Sequence, residues 1–95
     1  MGISITFSEE AYLTLYAILD FLEENWGKPY TEKLLATIYQ KINLISHHPF
    51  IYEQSAIDGL RKAAVSNHTS FYYLVGENQI SIVFFFDNRQ DPLLT

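Results

Sequence analysis

The chain begins with a short alternating pattern that changes into a helical one. Residues 3–7 alternate apolar and polar side chains and include β-branched residues, which predicts a strand with one buried face. Ser8 stands where a helix N-cap belongs, and Glu9 and Glu10 follow where the helix dipole favours negative charge. The apolar residues then recur at helical spacing: Ala11, Leu15, Ile18 and Leu22. This pattern predicts an amphipathic helix that ends near Asn25-Trp26-Gly27.

A second amphipathic helix follows almost at once. Pro29 can occupy its first turn, and Pro49 stops it, which places His47 and His48 in its last turn. Its apolar stripe comprises Leu34, Leu35, Ile38, Ile42 and Ile45. Because only a few residues separate the two helices, we expect them to form an antiparallel hairpin.

Three apolar runs separated by polar turns make up the last third of the chain. They follow a connecting loop over residues 50–59 and predict strands at about Leu60–Ser66, Ser70–Val75 and Gln79–Phe86. The order β-α-α-β-β-β predicts an α+β fold in which an N-terminal strand and a helical hairpin pack on a twisted antiparallel sheet. We expect one domain over residues 1–95, since that length builds a single core.

Charge is distributed unevenly along the chain. The formal net charge is −5, and residues 1–25 alone carry five acids and no Lys or Arg. The rest of the chain balances six acids with six bases. An extended grip on nucleic acid needs several Lys or Arg contacts to phosphate, so that class of function is disfavoured.

The composition also bears on location and chemistry. The chain has no cysteine, which excludes disulfides, thiolate metal sites and a Cys nucleophile. The N-terminus lacks the basic and apolar regions of a signal peptide. The longest apolar run, Ile82–Phe86, is far shorter than the roughly 20 residues that span a bilayer. We therefore expect a soluble, cytoplasmic protein without a cofactor.

Two sequence features invite functional interpretations that we do not favour. His47 and His48 point about 100° apart on a helix, so they do not bind one metal ion as an i, i+4 pair does, and no metal site is expected. The aromatic runs at residues 71–73 and 84–86 resemble base-stacking platforms on a sheet. The basic flanks of such platforms are lacking, so alternate aromatics are expected to pack against the helices instead.

The cations near the strand ends are the better candidates for a site. Arg61 and Lys62 are neighbours in a predicted strand, so their side chains leave opposite faces of the sheet and one emerges on the face without helices. Arg89 can reach an anion while Asp87 holds it in place. His68 lies one turn before the strand that contains Tyr72, and a His and a Tyr beside two Arg residues could transfer protons to and from a ribose and a phosphate.

The order of these features resembles the RelE/ParE superfamily of toxins from bacterial type II toxin–antitoxin modules, which includes plasmid stabilisation proteins. The resemblance covers nearly the whole chain and is most specific in the tail, LRKAAVSNHTSFYYLVGENQISIVFFFDNRQDP. There an Arg-Lys strand start precedes a His-Thr turn, a Tyr-bearing strand and a last strand that leads into Asn-Arg-Gln-Asp-Pro. The resemblance implies a compact α+β fold and a cognate antitoxin that wraps and neutralises the toxin.

The resemblance leaves two modes of action open. RelE-type members cut messenger RNA in the ribosomal A site, and ParE-type members poison DNA gyrase. This chain is acidic, whereas RelE-type enzymes are usually strongly basic, and no Tyr or His follows Arg89. Our first interpretation is therefore a ParE-like toxin that inhibits growth by binding a protein target, with Arg61, Lys62 and Arg89 as contact cations.

The alternatives are a ribosome-dependent endoribonuclease and an inactive relative that retains only antitoxin binding. In the endoribonuclease, Arg61 and Arg89 would neutralise the phosphate, and His68 or Tyr72 would transfer protons. Lys62, Asp87 and Asn88 are the predicted binding residues in either active form. A homodimer is also compatible with the sequence, since a free sheet edge can pair with a partner strand.

Overall fold

The computed structural model describes residues 2–57 and 59–90. Strand β1 (Ser4–Phe7) leads into helix α1 (Glu9–Trp26), and helix α2 (Lys28–His47) returns along it. Strands β2 (Leu60–Ala64), β3 (Thr69–Val75) and β4 (Gln79–Asp87) follow, and a 3₁₀ turn spans Asn88–Gln90. The predicted α+β fold and element order are confirmed.

The helix boundaries follow from local chemistry. The Ser8 hydroxyl accepts the Ala11 N–H at 3.0 Å and so caps α1, as its position predicts. Gly27 alone separates the two helices, with φ of 92° and ψ of 163°, a conformation that is essentially restricted to glycine. Pro29 lies in the first turn of α2, where the missing N–H costs no intrahelical hydrogen bond.

The sheet is mixed, not purely antiparallel as the sequence predicts. Its strand order is β1-β4-β3-β2, and β1 pairs with β4 in parallel. The reason is that α2 brings the chain back to the end of the sheet where β1 starts, where the Ile3 N–H donates to the Ser46 carbonyl at 2.8 Å. The next three strands form the predicted antiparallel run, which leaves β4 pointing in the direction of β1.

A β-bulge at Val83 reverses which residues of β4 face the helices. Tyr72 pairs with Phe84 but Tyr73 pairs with Ile82, so Val83 is the extra residue in the ladder. Ile80 and Ile82 face the helices before the bulge, and Phe85 does so after it. Two residues after the bulge, the Phe85 N–H donates to the Thr14 hydroxyl of α1 at 2.9 Å, which fastens β4 to the helix.

The main core lies between the helical hairpin and the sheet. All of the predicted stripe residues of both helices except Leu35 belong to it. Alternate strand residues and Val65, just after β2, supply the rest, namely Ala63, Val65, Phe71, Tyr73, Ile80, Ile82 and Phe85. Tyr73 is fully buried, which raises the pKa of its phenol, and its hydroxyl donates to the Pro49 carbonyl at 2.9 Å. This bond ties the loop after α2 to the centre of the sheet.

The face of the sheet away from the helices carries a second, smaller cluster. Leu60, Tyr72 and Phe86 are buried there, and Val83 and Phe84 pack against them. The aromatic runs are therefore divided between the two faces. Phe71, Tyr73 and Phe85 pack under the helices as expected, whereas Tyr72, Phe84 and Phe86 pack against one another on the other side.

Candidate functional site

The turn between β2 and β3 is fastened to the end of β4 by Asn88. The backbone N–H of Asn88 donates to the His68 carbonyl at 2.7 Å. Its side-chain Oδ1 accepts the Ser70 hydroxyl at 2.6 Å, and its Nδ2 donates to the Asn67 carbonyl at 3.1 Å. Ser70 is fully buried and therefore fixed in place, so its bond to Asn88 fixes the neighbouring residues Asp87 and Arg89 relative to His68.

Asp87 and Arg89 form a two-pronged ion pair at this end of the sheet. Arg89 donates from Nε to Oδ1 of Asp87 at 3.0 Å and from Nη2 to Oδ2 at 2.6 Å. The predicted contact between these two residues is thus present. The side-chain hydrogen bonds from Arg89 are the main reason that the pKa of Asp87 falls from 3.8 to about 2, so Asp87 is a carboxylate at neutral pH.

A cavity of about 590 Å³ opens beside this ion pair. Its polar wall comprises His68, Thr69, Asp87, Arg89 and Gln90. Its opposite wall is apolar and comes from the second half of α1 and the first turn of α2, with Ala17, Ile18, Phe21, Leu22, Trp26 and Tyr30. The Trp26 and Tyr30 rings lie 6.1 Å apart across the helix junction. The cavity therefore combines an aromatic wall with one charge pair.

The electrostatics of this cavity do not favour a phosphate. Its one Arg is already neutralised by Asp87, and His68 is the other basic residue among its described lining. An anion would have to compete with a carboxylate that already holds two of the guanidinium N–H groups. The walls are better suited to a neutral or amphipathic group, such as an aromatic side chain of a protein.

Arg61 lies elsewhere. Its Nη1 donates to the Tyr52 carbonyl at 2.6 Å, and its guanidinium stacks 4.8 Å from the centre of the Phe50 ring. It pairs across the sheet with Tyr73, whereas Asp87 pairs with Thr69. Four residues along β3 separate these points, or roughly 13 Å at about 3.3 Å per residue. Arg61 and Arg89 therefore do not share one site.

Lys62 and Tyr72 lie on the face without helices. The Lys62 ammonium is 5.3 Å from the centre of the Phe86 ring, so Lys62 is the member of the Arg61–Lys62 pair that emerges on this face. Tyr72 is cross-strand from Lys62 and only 1% exposed. A proton-transfer group must reach its substrate, and Tyr72 is covered here.

The candidate residues thus occupy three places instead of one. His68, Asp87 and Arg89 share the cavity, Asn88 positions them, Lys62 and Tyr72 lie on the other face, and Arg61 lies at the far end. The roles proposed for these residues stay predictions. Sequence reasoning missed the aromatic wall of the cavity. The sequence feature that could have indicated this wall is the closely spaced pair Trp26 and Tyr30, which lie on either side of a one-residue helix break.

The described residues contain neither a metal-ion site nor a membrane-spanning helix. No three His, Asp or Glu side chains gather as a metal-ion site. Nδ1 of His47 instead lies 2.9 Å from the Asn43 carbonyl of its own helix. Of the helices, neither combines the length and the apolar character needed to cross a membrane.

Two helices packed on one face of a mixed four-stranded sheet form an arrangement that this chain shares with proteins of known structure. Some of these proteins belong to toxin–antitoxin systems. A chain of the chromosomal ParDE toxin–antitoxin system from P. aeruginosa superposes with a TM-score of 0.76 at 18% identity, covering 90% of this chain and 96% of that one. The YoeB dimer from Staphylococcus aureus gives 0.64 at 17% identity, covering 90% and 97%.

A third structure, the E. coli DinJ-YafQ toxin-antitoxin complex, gives a TM-score of 0.62 at 10% identity over 100% of both chains. Identities this low establish the fold alone. Among curated proteins, none matches the sequence. Residues 5–92 match the family described as the ParE toxin of type II toxin-antitoxin system, parDE. The chain belongs to the ParE toxin family, which confirms the predicted membership of the RelE/ParE superfamily.

Proposed function

We propose that this toxin inhibits bacterial growth by binding and blocking a protein target in the cytoplasm, with DNA gyrase as the expected target. We further propose that a cognate antitoxin neutralises it, since the P. aeruginosa and E. coli relatives are parts of toxin–antitoxin systems. The observation that carries the blocking mechanism is the separation of Arg61, Tyr72 and Arg89. Hydrolysis of RNA needs a base, an acid and a cation at one phosphate, and these residues do not meet.

The cavity between His68, Arg89 and Trp26 is the part of the surface that best fits a target contact. An aromatic wall with one oriented ion pair is the composition typical of a protein-binding hot spot. Arg89 is the accessible end of that pair, with a side chain that is 69% exposed. We infer that the target inserts an apolar side chain along the aromatic wall and pairs a polar group with Arg89.

The rival function is ribosome-dependent cleavage of messenger RNA. One observation favours it, namely that His68 and Arg89 line the same cavity and could act together on one phosphate. Cleavage by these two residues would need Arg89 to leave Asp87. An inactive relative that retains only antitoxin binding is the third possibility, and growth assays separate it from both.

The deciding experiment is induction of the toxin alone in a bacterial host, with growth and mapped RNA ends recorded together. Blocking of gyrase predicts arrest with intact messages and a DNA-damage response. New cuts at codon positions in translated messages would contradict blocking and establish the endoribonuclease. Absence of arrest would leave the inactive relative.

Variants of the cavity sharpen this experiment. Arg89→Ala should abolish the arrest in both active cases, and Lys33→Ala, an exposed cation on α2, is the matched control. His68→Gln combined with Tyr72→Phe should preserve toxicity in a blocking toxin, since Gln keeps a polar side chain on the cavity wall and Phe keeps the buried ring volume of Tyr72. Loss of toxicity in a double variant that still folds would argue for proton transfer.

A further inference from the structure

Helix α1 exposes a run of large apolar side chains on the side opposite the core. Leu13 is 62% exposed and Tyr16 is 58% exposed. The Phe7, Tyr12 and Tyr16 rings stack in succession, with centroids 5.1 Å and 6.3 Å apart. Positions three and four apart share one side of a helix, which groups these residues with three acids of the next two turns. We call this surface the α1 outer face: Tyr12, Leu13, Tyr16, Asp20, Glu23 and Glu24.

The helix that carries the α1 outer face is also the most negative part of the chain. All five acids of residues 1–25 lie on α1, and no Lys, Arg or His precedes Lys28. Each of these carboxylates is exposed, and none forms an ion pair among the residues that the structure describes. The negative field of α1 is therefore uncompensated within the described fold.

The combination of exposed apolar side chains and exposed carboxylates limits the kinds of partner that can bind the α1 outer face. A second copy of the chain packed face to face would place the same carboxylates against one another, and like charges at an interface are unfavourable. Nucleic acid and anionic lipid are repelled for the same reason. Cationic side chains are favoured by two interactions, since they form ion pairs with carboxylates and cation–π contacts with Tyr rings.

We propose that the α1 outer face is the docking surface for a positively charged, amphipathic helical segment of the antitoxin. This inference rests on the proposed neutralisation by an antitoxin and adds the sign of its charge and the face that it occupies. From Tyr12 to Glu24 α1 rises about 18 Å, which matches a partner helix of roughly 12 residues. Apolar side chains of that segment pack between Leu13 and Tyr16, and its Lys or Arg residues pair with Asp20, Glu23 and Glu24.

The test is the affinity of the purified antitoxin for toxin variants, measured by titration calorimetry at two salt concentrations. Asp20→Asn/Glu23→Gln/Glu24→Gln should weaken binding about tenfold in 0.1 M salt and much less in 1 M salt, where the Debye length falls from about 10 Å to about 3 Å. The control Glu32→Gln/Glu53→Gln/Glu77→Gln removes the same charge from exposed positions outside α1 and should leave the affinity unchanged.

A second pair of variants tests the apolar part. Tyr16→Ala should weaken binding by roughly tenfold or more, as truncation of a central interface Tyr does. Tyr39→Ala truncates the same type of side chain at a similar exposure, 65%, on α2 and should have no effect. Circular dichroism of each variant establishes that it folds.

The outcomes separate this inference from the proposed function. Equal affinities of the α1 and control variants, with the antitoxin still relieving growth arrest, would overturn the docking surface and leave the function standing. Stronger binding after removal of the α1 acids would overturn the predicted sign of charge. If no partner protein relieves the arrest, the proposed neutralisation fails, and the docking inference fails with it.

Discussion

Asn88→Ala should destabilise the fold, because it removes the partner of a buried hydroxyl. The Asn88 side chain accepts the hydroxyl of Ser70 at 2.6 Å, and Ser70 is fully buried. Removing the amide leaves that hydroxyl without its partner and without access to water, which costs about 1–3 kcal/mol. The Ser66 and Asn67 carbonyls also lose a hydrogen bond, but Ser66 is partly exposed and Asn67 is exposed, so both can bind water instead.

The expected loss of stability is therefore about 2 kcal/mol, most of it from one orphaned hydroxyl. For a domain of this size it lowers the melting temperature by roughly 8–16 °C. Urea unfolding followed by circular dichroism measures the change, with the slope of the transition unchanged. Asn67→Ala is the matched control, because the Asn67 side chain makes no hydrogen bond within the described residues and its removal should change little.

A double-mutant cycle with Ser70→Ala isolates the mechanism. Ser70→Ala alone should cost less than Asn88→Ala, because Asn88 is partly exposed and its freed oxygen can bind water. The double variant has no orphaned hydroxyl, so its loss of stability should be clearly smaller than the sum of the two single losses. Additive losses would refute the argument, because they would mean that the two side chains do not act as a pair.

The same cycle separates a positioning role of Asn88 from the predicted binding role. If Asn88 acts only by positioning Asp87 and Arg89 through its bond to Ser70, Ser70→Ala should lower toxicity about as much as Asn88→Ala does. If Asn88 contacts the target itself, Ser70→Ala should keep the toxicity that Asn88→Ala loses. Growth arrest on induction, scaled to the amount of folded toxin, distinguishes the two results.

Three local features, the Gly27 backbone, the Thr14 hydroxyl and the Asp87 carboxylate, can each be tested by one substitution. Gly27→Ala should destabilise the fold by about 1–3 kcal/mol in urea unfolding, because φ of 92° with ψ of 163° strains any side-chain-bearing residue; unchanged stability would mean that the helix junction relaxes freely. Thr14→Val should cost about 1–3 kcal/mol by the same assay, because the Phe85 N–H of β4 loses its acceptor, whereas Thr37→Val on α2 should cost little. The lowered pKa of Asp87 means that its carboxylate stabilises the fold above about pH 4, and this contribution is lost as the pH falls through about 2. Asp87→Asn should remove this part of the dependence of the unfolding free energy on pH, a change of less than about 1 kcal/mol because the ion pair is exposed. If the loss of stability at low pH were the same in Asp87→Asn as in the unchanged protein, the pairing would be contradicted.

The sequence by itself determined the features that depend on local spacing. The apolar stripes of α1 and α2, the Ser8 cap, the short helix junction and the three consecutive strands all follow from residues within a few positions of one another. The contact between Asp87 and Arg89 belongs to the same group, since these residues are two positions apart at a strand exit. The family resemblance added the class of protein, which the match over residues 5–92 confirms.

Only the tertiary structure decided the features that join distant parts of the chain. The parallel pairing of β1 with β4 depends on where α2 delivers the chain, and strand alternation alone does not specify it. The bulge at Val83 reverses the alternation of β4, so the period of two could not tell which Phe of residues 84–86 faces the helices. The cavity joins Trp26 and Tyr30 to Arg89 across more than half of the sequence, and the sheet holds Arg61 at its other end. Spacing along the chain is informative only within an element, whereas the composition of the site depends on how the elements pack.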